Sequence, residues 1–125
     1  MKILSPIRWM TFLILLALVI IGDARDGSAE GRFVTGFSDL PLMEGMTEIP
    51  DTDVAFDTTA GRIVIAFAKS AVEPDTIRAF YRTALAQLGW REAAKDAFIR
   101  EDEALSFDYL ADGSDTIVRF SLLPE

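Results

Sequence analysis

The stretch RAFYRTALAQLGWRE, residues 78–92, decides how this chain is read. It is the densest patch of aromatic and aliphatic residues outside the N-terminal run, so it invites reading as a ligand pocket. Its spacing gives a mechanical answer first. Ile77, Phe80, Tyr81, Ala84, Leu85 and Leu88 recur at the three- and four-residue steps of a helix and form one apolar stripe. Just upstream, Pro74 suits a first helical position, where an N–H would be unpaired anyway. Asp75 complements the partial positive charge of a helix N-terminus, and Arg78 stands three residues on, in pairing range. Gly89 can adopt the left-handed conformation that ends a helix, and Trp90 falls where an apolar residue packs back on the last turn. The spacing therefore predicts a helix over 74–88 with a glycine stop and a tryptophan staple.

Working outward, periodicity switches to two on both sides. Residues 53–57 and 62–69 read as strands joined by a turn that uses Gly61. In the second, Ile63, Ile65 and Phe67 alternate with Val64, Ala66 and Ala68, and two apolar faces predict a central strand. After Gly89, residues 90–94, 97–101, 104–110 and 115–123 read as antiparallel strands. Leu105, Phe107 and Tyr109 face one way, Ser106 and Asp108 the other. Val118, Phe120 and Leu122 likewise oppose Arg119 and Ser121. Asp112-Gly113 marks a hairpin turn between the last two. The expectation is an α+β domain over 53–125, a single amphipathic helix packed on an antiparallel sheet in the order β-β-α-β-β-β-β. It is helix-grip-like, with the opposite sheet face wet.

Residues 30–52 keep no period, being broken by Gly36, Pro41, Gly45 and Pro50. They read as an extended, turn-rich lead-in that lays Phe33, Phe37, Leu40, Leu42 and Met43 over the domain. The competing reading is an exposed adhesive patch, which makes Phe37, Leu42 and Met43 candidate partner contacts.

The N-terminus carries a different signal. Residues 9–21, WMTFLILLALVII, have only Thr11 as a polar member, follow Lys2 and Arg8, and precede small residues. That is the pattern of a secretory signal peptide over 1–29, cut after Ala24 or Ala29. The run is short of the ~20 apolar residues of a spanning helix. The alternative is an uncleaved single-pass inner-membrane anchor. Periplasmic export is the expected destination, with no stable membrane anchor after cleavage.

Composition narrows the chemistry. The chain has 20 acidic and 12 basic residues, a net charge of −8, and an acidic surface repels nucleic acid. With no cysteine there are no disulfides, thiolate nucleophiles or lipidated cysteine. With no histidine, Ser-His-Asp arrangements and the usual zinc sites are excluded. Asp51, Asp53 and Asp57 mimic the start of a calcium loop, but Ala55, Phe56 and Arg62 occupy positions that such a loop gives to an acid, a glycine and a glutamate. REDE, residues 100–103, reads as a charged hairpin turn. No catalytic, cofactor or metal residue is expected. Arg62, Arg78 and Arg82 are the candidates for an anionic ligand, provided they converge. Tyr81, Trp90 and Phe107 read as core rather than as a pocket floor.

Three motifs carry a resemblance. F-x-DLPLM-x-G at Phe37–Gly45, FDT-x-x-GRI at Phe56–Ile63 and FY-x-x-x-L-x-x-LGW at Phe80–Trp90 resemble a group of small exported bacterial proteins of uncharacterised function. The likeness covers nearly the whole chain after residue 29. It implies export and this fold, and brings no activity with it. A fainter similarity links the Gly-aromatic helix end to helix-grip modules of envelope lipoproteins, from which this chain departs in lacking their cysteine. Together these readings predict a small, soluble, non-enzymatic periplasmic protein that works through contact with an envelope protein partner. The alternative is a binder of a small apolar or anionic ligand between helix and sheet.

Overall fold

A computed structural model describes residues 32–125, so the signal segment, both cleavage sites and the first two lead-in residues lie outside the described residues. The elements are β1 (Thr47–Glu48), β2 (Val54–Thr58), β3 (Gly61–Ser70), α1 (Pro74–Gln87), β4 (Arg91–Ala94), β5 (Ala97–Arg100), β6 (Glu103–Asp112) and β7 (Asp115–Pro124). All seven strands join one antiparallel sheet in the order β1-β3-β7-β6-β5-β4, with β2 also on β3. This is the anticipated α+β arrangement with one addition. The lead-in supplies β1, two residues that pair with Lys69 and Ala68. β1 and β2 thus share one edge of β3, separated by a turn at Asp51, whose φ is +61°.

The helix ends as its sequence requires. Gly89 sits at φ +89°, its N–H donates to the Ala86 carbonyl, and Trp90 N–H reaches back to Leu85 at 2.9 Å. These two bonds form the glycine-terminated motif that satisfies the last carbonyls of a helix. Trp90 is buried beside that turn.

Register fixes which side chains share a face. Val64, Ala66 and Ala68 of β3 lie beside Leu122, Phe120 and Val118 of β7, and Leu105 and Phe107 of β6 continue the same inner face. All eight are buried. On them α1 lays Ile77, Tyr81 and Leu85. Tyr81 centres an aromatic cluster, its ring 5.0 Å from Phe107 and 5.6 Å from Phe120. Burying each such side chain stabilises the fold by roughly 1.5–3 kcal/mol.

One helix cannot cover a sheet this wide, and the lead-in covers the remainder. Val34, Leu40, Leu42 and Met46 are buried, Phe37 meets Phe120 edge-on at 6.4 Å, and Gly36 lies directly over Val64. Polar ties fasten it, among them those of Tyr81 and Arg100. The Tyr81 hydroxyl donates to the Pro41 carbonyl at 2.8 Å and accepts from Met43 N–H at 3.3 Å. Arg100 donates to Asp39 at 2.8 Å and to the Leu88 carbonyl at 3.0 Å, with its guanidinium 4.4 Å above the Trp90 ring. The core-cover reading of the lead-in holds except at Phe33, which is 56% exposed.

The outer face corrects an expectation. It is not simply wet: Val54, Phe56, Leu110 and Leu123 are exposed, and Ile63, Ile65 and Phe67 are half-buried. Apolar residues on both faces of β3 did mark a strand paired on both edges. Among the described residues, however, no element lies over its second face, because α1 and the lead-in both occupy the first.

Candidate functional site

Three of the exposed apolar residues, Val54, Phe56 and Leu123, are gathered by register, whereas Leu110 and Phe33 stand apart from them. Phe56 on β2 faces Ile63 on β3. The β3–β7 register sets Ile63 beside Leu123, which pairs with Ala104 on β6, which in turn pairs with Ile99 on β5. One apolar row therefore crosses five strands. Val54 and Ile65 begin a second row that passes into Ser121 and Ser106. A third closes the patch with charge: beyond Phe67, Arg119 donates to Asp108 at 2.7 Å. Exposure is greatest at the β2 end, 51% for Phe56 and 47% for Val54, with Leu123 at 43%. An apolar patch bounded by polar groups is the usual form of a contact surface.

The patch runs to an open strand edge. β2 is exposed along its whole length and, among the described residues, pairs with β3 alone, so alternate backbone N–H and C=O groups point away from the sheet without a described strand to meet them. Val54 and Phe56 stand on the outer side, whereas Ala55 and Asp57 fall on the other, opposite Val64 and Arg62, and Asp53 immediately precedes the strand. Among the described residues, neither Asp53 nor Asp57 forms an ion pair. The opposite edge, β4, is four residues long and interrupted by a register shift between Glu92 and Ala94.

The three candidate arginines do not converge. Arg78 on α1 holds Asp96 through Nε at 2.7 Å and Nη2 at 3.1 Å, holds Asp75 at 2.6 Å, and stacks 4.8 Å from the Tyr109 ring. Its pKa is pushed above the ordinary arginine value by the hydrogen bonds to Asp96, which tie the helix to the β4–β5 turn. Arg82 lies 3.4 Å from Glu92. Arg62, across the sheet, donates to the Gly36 carbonyl at 3.0 Å and lies 4.0 Å from Glu103. Each is engaged by an acid, so no shared anion site forms. Of the acids near them in sequence that were expected to take up their charge, Asp75 does so, whereas Glu73 and Asp57 form no ion pair among the described residues; Asp96, Glu92 and Glu103 come from strands and turns that sequence order does not place nearby. Of the lead-in candidates, Leu42 is buried, and Phe37 and Met43 are half-buried against the core. They hold the lead-in down rather than present a surface.

Between helix and sheet the space is filled, Tyr81, Trp90 and Phe107 all being core. Burial pushes the Tyr81 hydroxyl well above the ordinary phenol range. Near Trp90 and Arg100 only about 10 Å³ is left, room for a single water. A larger groove of about 390 Å³ opens where the chain enters α1, between Val72 and Pro74 on one side and Tyr109, Ser114 and Thr116 on the other. Glu73 and Asp115 also line it, giving it an acidic rim. Burial raises the Tyr109 hydroxyl there to about 12. REDE is the charged turn anticipated, with Glu101 at φ +54° and Arg100 paired with Glu103. Among the described residues, no three carboxylates converge as a metal site requires.

No family model, no curated protein and no solved structure matches this chain. The site is therefore read from its own geometry.

Sequence reasoning missed Val54, Phe56 and Leu123. Their common parity is visible in the hairpin, since Phe56 opposes Ile63 across the turn at Gly61. The link to Leu123 and Ile99 needed the strand order.

Proposed function

We propose that this protein is a small, exported, non-enzymatic contact module that binds a protein of the cell envelope through the outer face of its sheet. One observation carries the reading: the row Phe56–Ile63–Leu123–Ala104–Ile99, exposed at its β2 end and bordered by an open edge. Single exposed apolar residues are ordinary, whereas a row continuous over neighbouring strands and ending at an open edge has the form of a contact surface. The signal-peptide pattern of residues 1–29 and the resemblance to exported proteins support the periplasm as the place where this face acts.

The test is site-directed photocrosslinking in the cell. A photoreactive side chain at Phe56 or Leu123 is expected to yield one discrete adduct, whereas the same group at Thr83, exposed on α1, yields none. Absence of adducts at both positions refutes the reading. N-terminal sequencing of the same protein checks export: a start at Arg25 or Glu30 fits cleavage, and an intact Met1 fits an anchor.

A second reading, a small-ligand binder, has the groove beside Val72, Pro74 and Tyr109 in its favour, since about 390 Å³ is within the size range of ligand sites. Its acidic rim disfavours an anion and leaves a small apolar molecule. Mass analysis of the purified chain after denaturation separates the two readings, because a co-purified small molecule supports the groove.

A further inference from the structure

We infer that β2 is a strand-addition site for an extended segment whose basic and apolar residues alternate. The inference rests on the contact reading above and names the partner's chemistry. Three observations on the edge point the same way. β2 is a regular five-residue strand with one neighbour among the described residues, so its outward backbone groups can form a further antiparallel or parallel ladder. Of its outer side chains, Phe56 begins the apolar row that crosses the sheet and Val54 the shorter one that ends at Ile65, and an added strand with apolar residues there would extend both by one column. Its other side carries Asp57, across from Arg62, and Asp53 immediately precedes it; neither acid forms an ion pair among the described residues, so the residues beside them in an added strand meet negative charge. A strand presents side chains to alternate faces, and these two demands together specify Lys or Arg alternating with Val, Ile, Leu or Phe.

The same charges argue against a second copy as the occupant. Antiparallel self-pairing of β2 centred on Ala55 sets Asp53 of one copy against Asp57 of the other, twice. Like charges directly opposite are destabilising, and a net charge of −8 per chain adds general repulsion. In that register the edge disfavours its own kind while remaining open to a basic strand. β4 offers no equivalent: it is short, bulged, and its Glu92 is engaged by Arg82.

The test uses the purified full chain and synthetic peptides of about seven residues, a typical strand length. An alternating Lys-Val peptide is compared with its Glu-Val counterpart and with a Lys-Val peptide N-methylated at alternate residues, which keeps the charge and removes the ladder. The expected order is Lys-Val at least ~10-fold tighter than either control, a difference of about 1.4 kcal/mol. Combined Asp53→Lys and Asp57→Lys substitution should reverse the preference between the two charged peptides. Equal binding of the methylated peptide, equal binding of the acidic one, or binding of none of them overturns the inference. The comparison on the unaltered chain stands even where the substituted chain does not fold. If the peptides fail while crosslinking at Phe56 succeeds, strand addition falls and the contact reading survives. If both fail, the contact reading falls as well.

Discussion

Replacing Tyr81 with phenylalanine isolates the tie between helix and lead-in. The ring keeps its neighbours Phe80, Phe107 and Phe120, at 4.8, 5.0 and 5.6 Å, so packing is preserved. What is lost is one oxygen that donates to the Pro41 carbonyl at 2.8 Å and accepts from Met43 N–H at 3.3 Å. Each bond contributes a net ~0.5–1.5 kcal/mol, and a backbone group left without a partner adds to the cost. The longer Met43 bond belongs at the low end of that range. The sum is about 2 kcal/mol, which in urea is a fall of the midpoint on the order of 1–2 M at unchanged slope. Residue-level hydrogen exchange gives the sharper check: the Met43 amide should exchange faster, while amides of β6 and β7 change only as far as global stability does. A loss below ~0.5 kcal/mol, the range of ordinary surface substitutions, with Met43 exchange unaltered, would refute the clasp.

Alkaline pH should unfold the protein through its two tyrosines. The folded state holds both phenols protonated beyond the unfolded value of about 10, chiefly through burial, Tyr109 to about 12 and Tyr81 further still. That contribution is therefore complete below pH ~10 and lost as pH climbs through the folded values. Ultraviolet phenolate absorbance reports only these residues, since the chain has two tyrosines, and an ordinary midpoint near 10 in the folded protein would count against their burial. Gly36→Ala should cost ~2–4 kcal/mol, combining φ +90° with a new methyl 2.7 Å from Val64. Gly45→Ala, at φ +85° with open space around it, should cost only ~1–2 kcal/mol, and equal thermal shifts for the pair would contradict the close approach at Gly36. Phe56→Ser should change stability by less than ~1 kcal/mol, whereas Ile77→Ala in the core should cost ~2–5 kcal/mol. Denaturation of the two variants side by side separates a surface residue kept for contact from one kept for packing.

Much of the fold was legible because it is written in short-range periodicity. The stripe from Ile77 to Leu88, the stop at Gly89 and the alternation in β6 and β7 all depend on neighbours within a few residues. What escaped depends on pairing between distant segments. β1 has only two residues and no pattern of its own; Lys69 and Ala68 opposite it make it a strand. The Asp39–Arg100 pair spans 61 residues, and nothing in either local sequence announces the other. The outer apolar row was hidden for the same reason, since each strand contributes a single residue that looks incidental alone. The arginine candidates went the other way: their spacing permitted convergence, and acids brought in by the sheet pulled each to a different place.

The lead-in also imposes an order on folding. Phe37, Asp39 and Pro41 leave the ribosome early, yet the groups that hold them, Phe120, Arg100 and Tyr81, are made up to some eighty residues later. A chain synthesised from its N-terminus must therefore carry Val34, Leu40, Leu42 and Met46 undocked until β7 is in place. For that interval the half of the inner face over β3 is bare as well. The lead-in thus precedes most of the surface that it covers, and any factor that shields the nascent protein has those four side chains to hold.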